Sequence, residues 1–600
     1  MGSVLKLLGL ISVLIIFCVL RYFDFGTVGQ IETTYRDHKT LVVYAPSLGG
    51  RTSRPELERL VRETYPAADL LIPTYSHQWA SNINPYEITQ KIETAIDAED
   101  KKYHYEKIVL FGYSTGGLLL RKVLLWGYGY EDRPEQQVRG RHDWVERIER
   151  YVSLAAPNRG WPYHKPTNLD DYKYAFGSIA LEVGRLTGTG RFIASLMQGA
   201  PFVANMRIQW IDLFRSLPAN QHPLVVHLLG NKDELVDRED SIDLEAGSPE
   251  GVIFKSLEGF SHGEIASRLY QGGGKELTAA GEAIQMALTK TRYEFPSDWA
   301  DKVGALHTDP DVKQLIFVMH GIRDESPWPA EVKQSIDILI GDASKGVKVI
   351  PPLYRRFAML PFLFYWDRQS NVRWFMDQYT EARAMYPNLR DTDVDFIGHS
   401  NGTYILASAL QNYQVLKIRN VFFAGSVVPM HYRWDKLMRD DRVTGRVWNI
   451  CAAGDWVVAI FPQFFQQISD LIGNEDAKPG VLDIGAAGFR GFRHGTGDED
   501  RLFNLTYIAG PHIAAFETKA RVDDIARYVT LDPKLNFLDL WWSKNGPEPE
   551  RSLQIASNLS WLIWILGLGL IAFIGIVCYR RSWSLFAIYW VVLLGVLNSW

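Results

Sequence analysis

The stretch "FGYSTGG", residues 111–117, follows the apolar run "KIVL" and precedes a second apolar run, "LLLRKVLL". The first run predicts a strand and the second a helix, so a serine stands between glycines where a strand gives way to a helix. In so sharp a turn only small residues fit beside the serine, and its hydroxyl is pushed into the open. A lone G-x-S-x-G also occurs in ordinary glycine-rich turns, so the surrounding residues must decide its meaning.

The residues around this turn form an alternating series of predicted strands and helices. A helical period in "PYEITQKIETAIDAEDK" precedes the turn. The predicted strands of this first series are "TLVVYAPSLGG", "ADLLIPTY", "KIVLFGYS", "RYVSLAAP", "LVVHLLGNKD" and "VIFKSLEGFSH". This alternation implies a mostly parallel sheet covered by helices.

The same order of elements appears a second time, again with G-x-S-x-G (398–402) between a strand and a helix. The second set of predicted strands is "QLIFVMHGIRD", "GVKVIPPLYR", "VDFIGHS", "IRNVFFAGSVV", "GRVWNICAAGD" and "FNLTYIAGPH". A repeated order of strands and helices predicts an α/β chain with two tandem domains.

A serine hydroxyl becomes a nucleophile only with a base, an acid that holds the base, and backbone donors for the oxyanion. In the first series Ser114 is followed by Asp233, just past one strand end, and by His262, just past the last strand. Thr115 and Leu48 are placed to offer backbone N–H groups to the oxyanion.

The second series offers an equivalent set in the same chain order. Ser400 is followed by Asp455 in "AAGDWVV" and by His512 in "AGPHIAAF". Asn401 and Ile322 take the oxyanion positions of this second set.

Each member also has a structural interpretation. Asp233 could be an ordinary turn residue with Glu234 and Asp237 as rival acids, and His262 or His512 could merely cap a loop. His431 and His494 remain alternatives for the second base.

With these residues in place, both series resemble the α/β-hydrolase superfamily, near its lipase and esterase branches. The first series is most similar to lipases and to the GPI inositol-deacylase (PGAP1-like) group. Its "SLAAPNRGWP" (153–162) resembles the "TPHRG"-like loop of those enzymes, with Asn158 in place of the usual His. The resemblance implies hydrolysis of esters or thioesters through an acyl-enzyme, without a cofactor or a metal. It does not name the substrate, because many activities share this fold.

The composition indicates segments that enter a membrane, and it gives no sign of a nucleic-acid partner or of a cysteine-based site. A net charge of -5 gives no sign of a nucleic-acid partner, and 3 cysteines, Cys18, Cys451 and Cys578, build neither a disulfide framework nor a zinc cluster. The apolar run near the N-terminus reads as an uncleaved anchor, with a signal peptide as the alternative. Residues 561–579 carry no charge and have roughly the length of a bilayer span. A shorter apolar stretch follows, which crosses the membrane or lies at its surface.

The predicted organisation is therefore an N-terminal membrane anchor (1–25), an α/β-hydrolase domain (38–290), a linker (291–310), a second α/β-hydrolase-like domain (311–535), a linker (536–557) and one or two C-terminal transmembrane segments (558–600).

The predicted function is a membrane-anchored serine hydrolase that cleaves carboxylic esters of lipid-like or acyl character. The alternatives are one active domain with a regulatory partner domain, or a non-catalytic membrane scaffold. The expected partners are the lipid bilayer and the ester substrate, and the oligomeric state stays open. Arg580 and Arg581 between the apolar stretches favour a catalytic body on the non-cytoplasmic side.

Overall fold

The computed structural model describes residues 27–47, 54–76, 81–132, 140–161, 190–243, 252–303, 307–322, 326–341, 346–351, 359–473, 480, 482–495, 500–530 and 546–599. These residues group into two compact units. The first unit comprises Met1–Thr308 with Met376–Met385, and the second comprises Asp309–Phe375 with Tyr386–Trp600.

The first unit contains a 7-stranded sheet in the order β1-β3-β2-β4-β5-β6-β7. Only β1 runs antiparallel to its neighbour, and the other pairs are parallel. The strands are β1 (Thr27–Thr34), β2 (Thr40–Ala45), β3 (Asp69–Ser76), β4 (Lys107–Tyr113), β5 (Ile148–Leu154), β6 (Leu224–Gly230) and β7 (Val252–Leu257).

The second unit contains a 6-stranded sheet in the order β13-β12-β11-β10-β8-β9, with every neighbouring pair parallel. Counted from β9 to β13, this sheet takes its strands in the chain order second, first, third, fourth, fifth, sixth. The first sheet has the same order when it is counted from β3 to β7 and β1 is left out. The strands are β8 (Gln314–Met319), β9 (Val347–Ile350), β10 (Val394–His399), β11 (Val421–Ala424), β12 (Val447–Ala452) and β13 (Leu502–Ile508).

Helices flank both sheets and connect their parallel strands. They are α1 (Arg54–Thr64), α2 (Pro85–Tyr103), α3 (Thr115–Gly127), α4 (Arg191–Ser195), α5 (Pro201–Ser216), α6 (Arg238–Ile242), α7 (Glu264–Ser267), α8 (Ala279–Thr289), α9 (Trp328–Ile340), α10 (Met359–Leu363), α11 (Tyr365–Met385), α12 (Asn401–Asn412), α13 (Trp434–Arg439), α14 (Trp456–Leu471), α15 (Ala487–Arg490), α16 (Lys519–Val529), α17 (Arg551–Asn558), α18 (Ser560–Arg581) and α19 (Trp583–Ser599).

The first sheet is buried on both of its faces, as a parallel sheet between helices must be. Alternate residues of β2 enter different cores: Leu41 and Val43 pack in one, and Val42 and Tyr44 pack in the other. The near-continuous apolar strands of the sequence follow from this double burial. The predicted α/β class with helix-covered, mostly parallel sheets is confirmed, and so are all of the twelve predicted strands.

Two segments extend the first unit beyond its predicted bounds of 38–290. β1 lies before residue 38, where the first domain was predicted to begin. Phe295 and Trp299, in the predicted linker 291–310, pack against the core of the first unit. The predicted N-terminal anchor lies outside the described residues, so the structure does not bear on it.

The C-terminal apolar stretches form two helices that fold back on each other. α18 has a mean hydropathy of 2.6 over its most apolar window, which is only 6% buried, and it is the one helix among the described residues long and apolar enough to cross a membrane. α19 contains the shorter apolar segment Trp583–Leu593. The hydroxyl of Tyr589 on α19 donates to the carbonyl of Ile571 on α18 at 2.8 Å, so α19 returns along at least half of α18.

Candidate active site

The turn that contains Ser114 joins β4 to α3 in a strained backbone conformation. Ser114 has φ 53° and ψ −121°, a positive φ that a residue with a side chain rarely adopts. Ser114 directly precedes Thr115, the first residue of α3, and its side chain is 3% exposed. Ser114 therefore lies in a sharp strand-to-helix turn, as predicted, but it is buried against His262 and not open to solvent as the turn alone would suggest.

Gly116 shows why the turn requires small residues. A Cβ atom at this position would lie 2.1 Å from the carbonyl oxygen of Ala45 at the end of β2. The first turn of α3 therefore passes directly over the backbone of the neighbouring strand. Only glycine permits this approach, because a backbone oxygen cannot rotate away as a side chain can.

Ser114, His262 and Asp233 form a continuous hydrogen-bond chain. His262 Nε2 lies 3.0 Å from Ser114 Oγ, and His262 Nδ1 lies 2.8 Å from Asp233 Oδ2. Because a carboxylate only accepts hydrogen bonds, Nδ1 carries the imidazole proton and Nε2 accepts from the serine hydroxyl. This is the arrangement in which a histidine can remove the serine proton.

Asp233 is fixed by its own loop. Its Oδ1 accepts hydrogen bonds from the backbone N–H groups of Leu235 and Val236, both at 2.9 Å. The Asp233 side chain is 1% exposed. Its carboxylate is therefore held in one orientation towards the imidazole by backbone donors that no side-chain motion can remove.

The rival acids do not contact the imidazole ring in the described hydrogen bonds. Glu234 Oε2 accepts from the backbone N–H of His262 at 3.1 Å, and Asp237 stands at the start of α6. Glu234 thus holds the backbone of the histidine, whereas Asp233 holds its ring.

Tyr113 is a residue that the sequence analysis missed. Its hydroxyl donates to the backbone carbonyl of His262 at 2.8 Å. Burial, and secondarily the charges of Asp233 and Glu234, raise the pKa of Tyr113, so the phenol keeps the proton that it donates. Its position directly before the serine in the quoted turn was the available signal, but only the fold shows that its partner lies 149 residues away.

The predicted oxyanion donors of the first site are described in part. Thr115 occupies the first position of α3, where helix N–H groups have no partner within the helix. Leu48 lies outside the described residues.

A second turn of the same geometry joins β10 to α12. Ser400 has φ 51° and ψ −119°, within a few degrees of the angles at Ser114. A Cβ atom at Gly402 would lie 2.3 Å from the carbonyl oxygen of Met319, which ends β8. The two turns are therefore built alike, each against the end of the strand adjacent in its sheet.

The acid and base of the second set also meet. His512 Nδ1 lies 2.8 Å from Asp455 Oδ2, and Asp455 Oδ1 accepts from the backbone N–H of Val458 at 3.0 Å. Among the hydrogen bonds of the described residues, none joins His512 to the Ser400 hydroxyl. The imidazole of His399 lies next to that of His512, with ring centroids 4.7 Å apart.

The other predicted members of the second site have clear positions. Asn401 begins α12, and Ile322 follows β8 by three positions. The side-chain amide of Asn401 is fully buried, and neither of its polar atoms has a hydrogen-bond partner within the described parts of the chain. Of the rival bases, His431 contacts Gln466 on α14 at 3.1 Å, and His494 is exposed.

The described part of that segment, residues 153–161, has a structural role that accounts for Asn158. The Asn158 amide donates to the backbone carbonyl of Ser241 at 2.7 Å and lies 3.3 Å from His227 Nδ1. The Ser153 hydroxyl lies 2.6 Å from the same Nδ1 atom. Burial lowers the pKa of His227 to about 3, so this histidine is a neutral core residue.

Metal ligands and the buried Cys451 offer no alternative chemistry among the described residues. No group of three or more His, Cys, Asp or Glu side chains within them is arranged to hold a metal ion. Burial raises the pKa of Cys451 to about 12, so its thiol stays protonated and unreactive.

Comparison with known proteins gives only distant similarities. No protein-family model matches the chain. No curated protein sequence matches it significantly. Solved structures that resemble it include a monoacylglycerol lipase from Paleococcus ferrophilus, at 13% identity and a TM-score of 0.24 over 39% of this chain and 90% of that one. A lipase from Bacillus licheniformis has 15% identity and a TM-score of 0.26 over 40% and 94% of the two chains. A bromoperoxidase from Bacillus anthracis has 14% identity and a TM-score of 0.26 over 43% and 91%.

Proposed function

We propose that this protein is a membrane-anchored serine hydrolase that cleaves carboxylic esters of lipid-like or acyl character. The observation that carries the proposal is the hydrogen-bond chain from Ser114 through His262 to Asp233, which begins at a strained strand-to-helix turn. Backbone strain of this kind persists only where the surrounding structure enforces it, and it is typical of a turn that holds a nucleophilic serine.

In the proposed reaction, His262 Nε2 takes the proton of Ser114 as Oγ attacks the ester carbonyl carbon. Asp233 keeps the imidazole oriented and stabilises its positive charge. The N–H of Thr115 stabilises the oxyanion, with the predicted second donor at Leu48. Collapse releases the alcohol, which takes the proton from His262, and leaves an acyl group on Ser114. Water, activated by the same histidine, then releases the carboxylic acid.

The first experiment asks whether Ser114 forms a covalent adduct. The protein in detergent is treated with a fluorophosphonate, and labelled peptides are identified by mass spectrometry. We expect labelling of Ser114 in the wild type and a loss of hydrolysis at this site of about 10³-fold or more in Ser114→Ala. A Ser114→Ala variant with wild-type turnover, beside a Ser400→Ala variant without activity, would show that the main site is the second one.

The second unit supports a second candidate site, with Ser400 as nucleophile, His512 as base, Asp455 as acid and the N–H groups of Asn401 and Ile322 as oxyanion donors. The two serine turns have closely similar backbone angles, and His512 is already bound to Asp455. The hydrogen bond that remains to form is from Ser400 to His512. Such contacts are often long in the absence of substrate and tighten when substrate binds.

Two alternatives make different predictions in the same experiment. If one site catalyses and the other unit regulates it, the fluorophosphonate labels one serine only. If both units form a non-catalytic scaffold, neither serine is labelled.

We further propose that the two units are tandem α/β-hydrolase-like domains, because six strands of each sheet follow the same order and the serine turn follows the equivalent strand in each.

The substrate class rests on the membrane anchor. α18 is long and apolar enough to span a bilayer, and an anchored hydrolase meets lipid-like esters at high local concentration. A series of p-nitrophenyl esters of increasing chain length tests this part of the proposal. We expect the ratio kcat/KM to rise with chain length, whereas a preference for acetate would indicate a small soluble ester.

A further inference from the structure

α14 leaves a row of apolar side chains uncovered. Its buried side chains are both apolar and polar: Val458, Ala459, Phe461 and Pro462, with Gln463, Gln466 and Ser469. The apolar side chains that remain exposed or half-buried on the helix are Trp456, Val457, Ile460, Phe464, Phe465, Ile468 and Leu471, which we call its outer face. Trp456 is 58% exposed and Leu471 is 86% exposed. A surface helix in water places its polar residues outwards, so this outer face suits an apolar environment.

α14 is held against the beginning of α18. The ring of Trp564 lies 5.4 Å from that of Phe461 and 5.9 Å from that of Phe464, measured between centroids. Gln467 accepts a hydrogen bond from the Ser560 hydroxyl at 2.7 Å. Trp564 lies about 6 Å along the helix axis from Ser560, at 1.5 Å per residue, so α14 packs at the depth where the apolar span begins.

The same helix carries the acid of the second site at its N-terminus. Asp455 caps α14 through the N–H of Val458 and holds His512 with its other oxygen. The outer face begins at Trp456, the residue after this acid. Whatever surface receives the outer face therefore lies beside the second site.

We propose that α14 lies in the surface of the lipid bilayer, with its outer face among the acyl chains, and that it presents acyl esters carried by bilayer lipids to Ser400. The proposal rests on the proposed function of the second site and on α18 crossing the membrane. The bilayer is the favoured occupant because the outer face is continuous with α18, which itself exposes apolar side chains along its length. A helix in such a position sinks roughly 5–10 Å below the headgroups.

The proposed reaction at this site balances as follows. Ser400 Oγ forms a bond to the carbonyl carbon of the lipid ester, and the bond from that carbon to the alcohol oxygen breaks. The serine proton passes through His512 to the departing alcohol, which stays with the lipid backbone. Water then cleaves the acyl-serine and yields a fatty acid.

The first test measures the depth of α14 in full-length protein reconstituted into phosphatidylcholine vesicles. The native cysteines are replaced, and an NBD fluorophore is attached to Leu471→Cys or, as a matched control, to Lys519→Cys on α16. Lys519 is also in the second unit, with its side chain 71% exposed. We expect doxyl-labelled lipid to quench the fluorophore at position 471 about twofold or more, and to leave that at position 519 unchanged.

Quenching of position 471 by aqueous iodide instead of lipid would overturn the proposal, since α14 would then face water. Protection from both quenchers would also overturn it, because a protein partner would then cover the outer face. This readout requires no catalysis and is therefore independent of the proposed function.

The second test measures lipid delivery to Ser400 in a Ser114→Ala background. The double variant Leu471→Asp, Ile472→Asp places charges on the last residue of the outer face and on the exposed residue that follows α14. We expect hydrolysis of a long-chain ester in vesicles to fall about tenfold, while hydrolysis of p-nitrophenyl acetate and fluorophosphonate labelling of Ser400 stay within about twofold. The control is Ile338→Asp, Leu339→Asp on α9, two other exposed apolar residues of the same unit.

An equal loss on both substrates, or equal effects of the two double variants, would overturn the proposal. Absence of any Ser400 labelling or ester cleavage in the Ser114→Ala protein would reject the catalytic role of the second site. The fluorescence measurement would then report separately whether α14 lies in the bilayer.

Discussion

Asp233, Glu234 and Asp237 follow β6 in close succession, and the structure gives each a different contact. Asp233 binds the ring of His262, Glu234 binds its backbone N–H, and Asp237 begins α6. Only the first contact can set the tautomer of the imidazole and stabilise its positive charge. The local sequence does not separate these three residues, because each follows a strand end within one short loop.

This difference predicts the effect of removing each carboxylate. Asp233→Asn should lower kcat about 10⁴-fold, because the histidine then loses its orientation and its charge partner. Glu234→Gln and Asp237→Asn should each stay within about tenfold of the wild type, since they leave the ring contact intact. Hydrolysis of a p-nitrophenyl ester in a Ser400→Ala background measures all three. Normal turnover in the Asp233 variant beside an inactive Asp237 variant would identify Asp237 as the acid.

His227 gives a prediction for stability against pH. Its folded-state pKa is lowered to about 3 by burial and by Arg121, whereas an unfolded histidine titrates near 6.5. Below pH 6.5 the unfolded chain binds a proton that the folded chain does not. The stability from this residue is therefore fully present above pH 6.5 and is lost as the pH falls towards 3, by at most about 1.4 kcal/mol per pH unit.

Urea unfolding of the protein in detergent, followed at pH 7, 6, 5 and 4, tests this expectation. The replacement His227→Gln cannot titrate and should make the loss of stability towards acid less steep, although it lowers stability at pH 7. Parallel pH profiles for the two proteins would show that His227 is not the group responsible.

At the scale of elements, the strands were predictable and their neighbours in space were not. β2, β4 and β8 are apolar on both faces, and such runs predict buried parallel strands directly. β1, with the sequence TVGQIETT, mixes polar residues and glycine, and it forms only because β3 offers an open antiparallel edge. Tyr113 and the outer face of α14 were missed for a related reason: their meaning depends on partners that are distant in the sequence.

The described part of the insertion between Ser114 and Asp233 illustrates the same limit. The sequence 180–214 mixes apolar residues, glycines and few charges, which fits either a lid over an acyl pocket or a packed helical cap. α5 buries most of its side chains, including Phe202, Met206 and Trp210, in the core of the first unit. This helix is therefore part of the packed structure, and residues 180–189 of the segment lie outside the described residues.

The two serine turns predict equivalent effects of a single added methyl group. Gly116→Ala and Gly402→Ala would each place a Cβ against the backbone carbonyl oxygen of a neighbouring strand, Ala45 in one unit and Met319 in the other. The helix must move, which should destabilise the unit by about 1–3 kcal/mol and displace the serine. We expect fluorophosphonate labelling to disappear at the serine of the altered turn only.

Gly140→Ala is the matched control, because its added Cβ would meet nothing within 4 Å. It should leave both labelling and the melting temperature close to those of the wild type. Undiminished labelling of Ser114 in the Gly116→Ala protein would show that the turn tolerates a side chain and that the close approach is not required.

At the scale of the whole molecule, the repetition in sequence corresponds to two sheets with the same order of six strands. The alternation of strands and helices predicts the two series of elements, but not which strands are neighbours in each sheet. The first site differs from the second at the hydrogen bond between serine and histidine, a contact that depends on side-chain positions and that no spacing in the sequence reports. Both sets of residues keep the order Ser, Asp, His, so the difference in geometry is the reason to test each serine separately.

The C-terminal hairpin predicts how the molecule sits in the membrane. α18 starts beside α14 of the second unit, and α19 returns along α18 and packs against α10 of the same unit. If both helices enter the bilayer, Arg580 and Arg581 lie at the turn between them, on the side opposite the second unit. Short basic loops stay preferentially in the cytoplasm, so the body of the protein should lie on the non-cytoplasmic side.

Protease added to sealed vesicles of known orientation measures this directly: we expect the body to be digested only from the non-cytoplasmic face. Digestion only from the cytoplasmic face would reverse the orientation. In a variant that lacks residues 558–600, continued membrane association would support the predicted N-terminal anchor, and its loss would show that the hairpin is what holds the protein in the membrane.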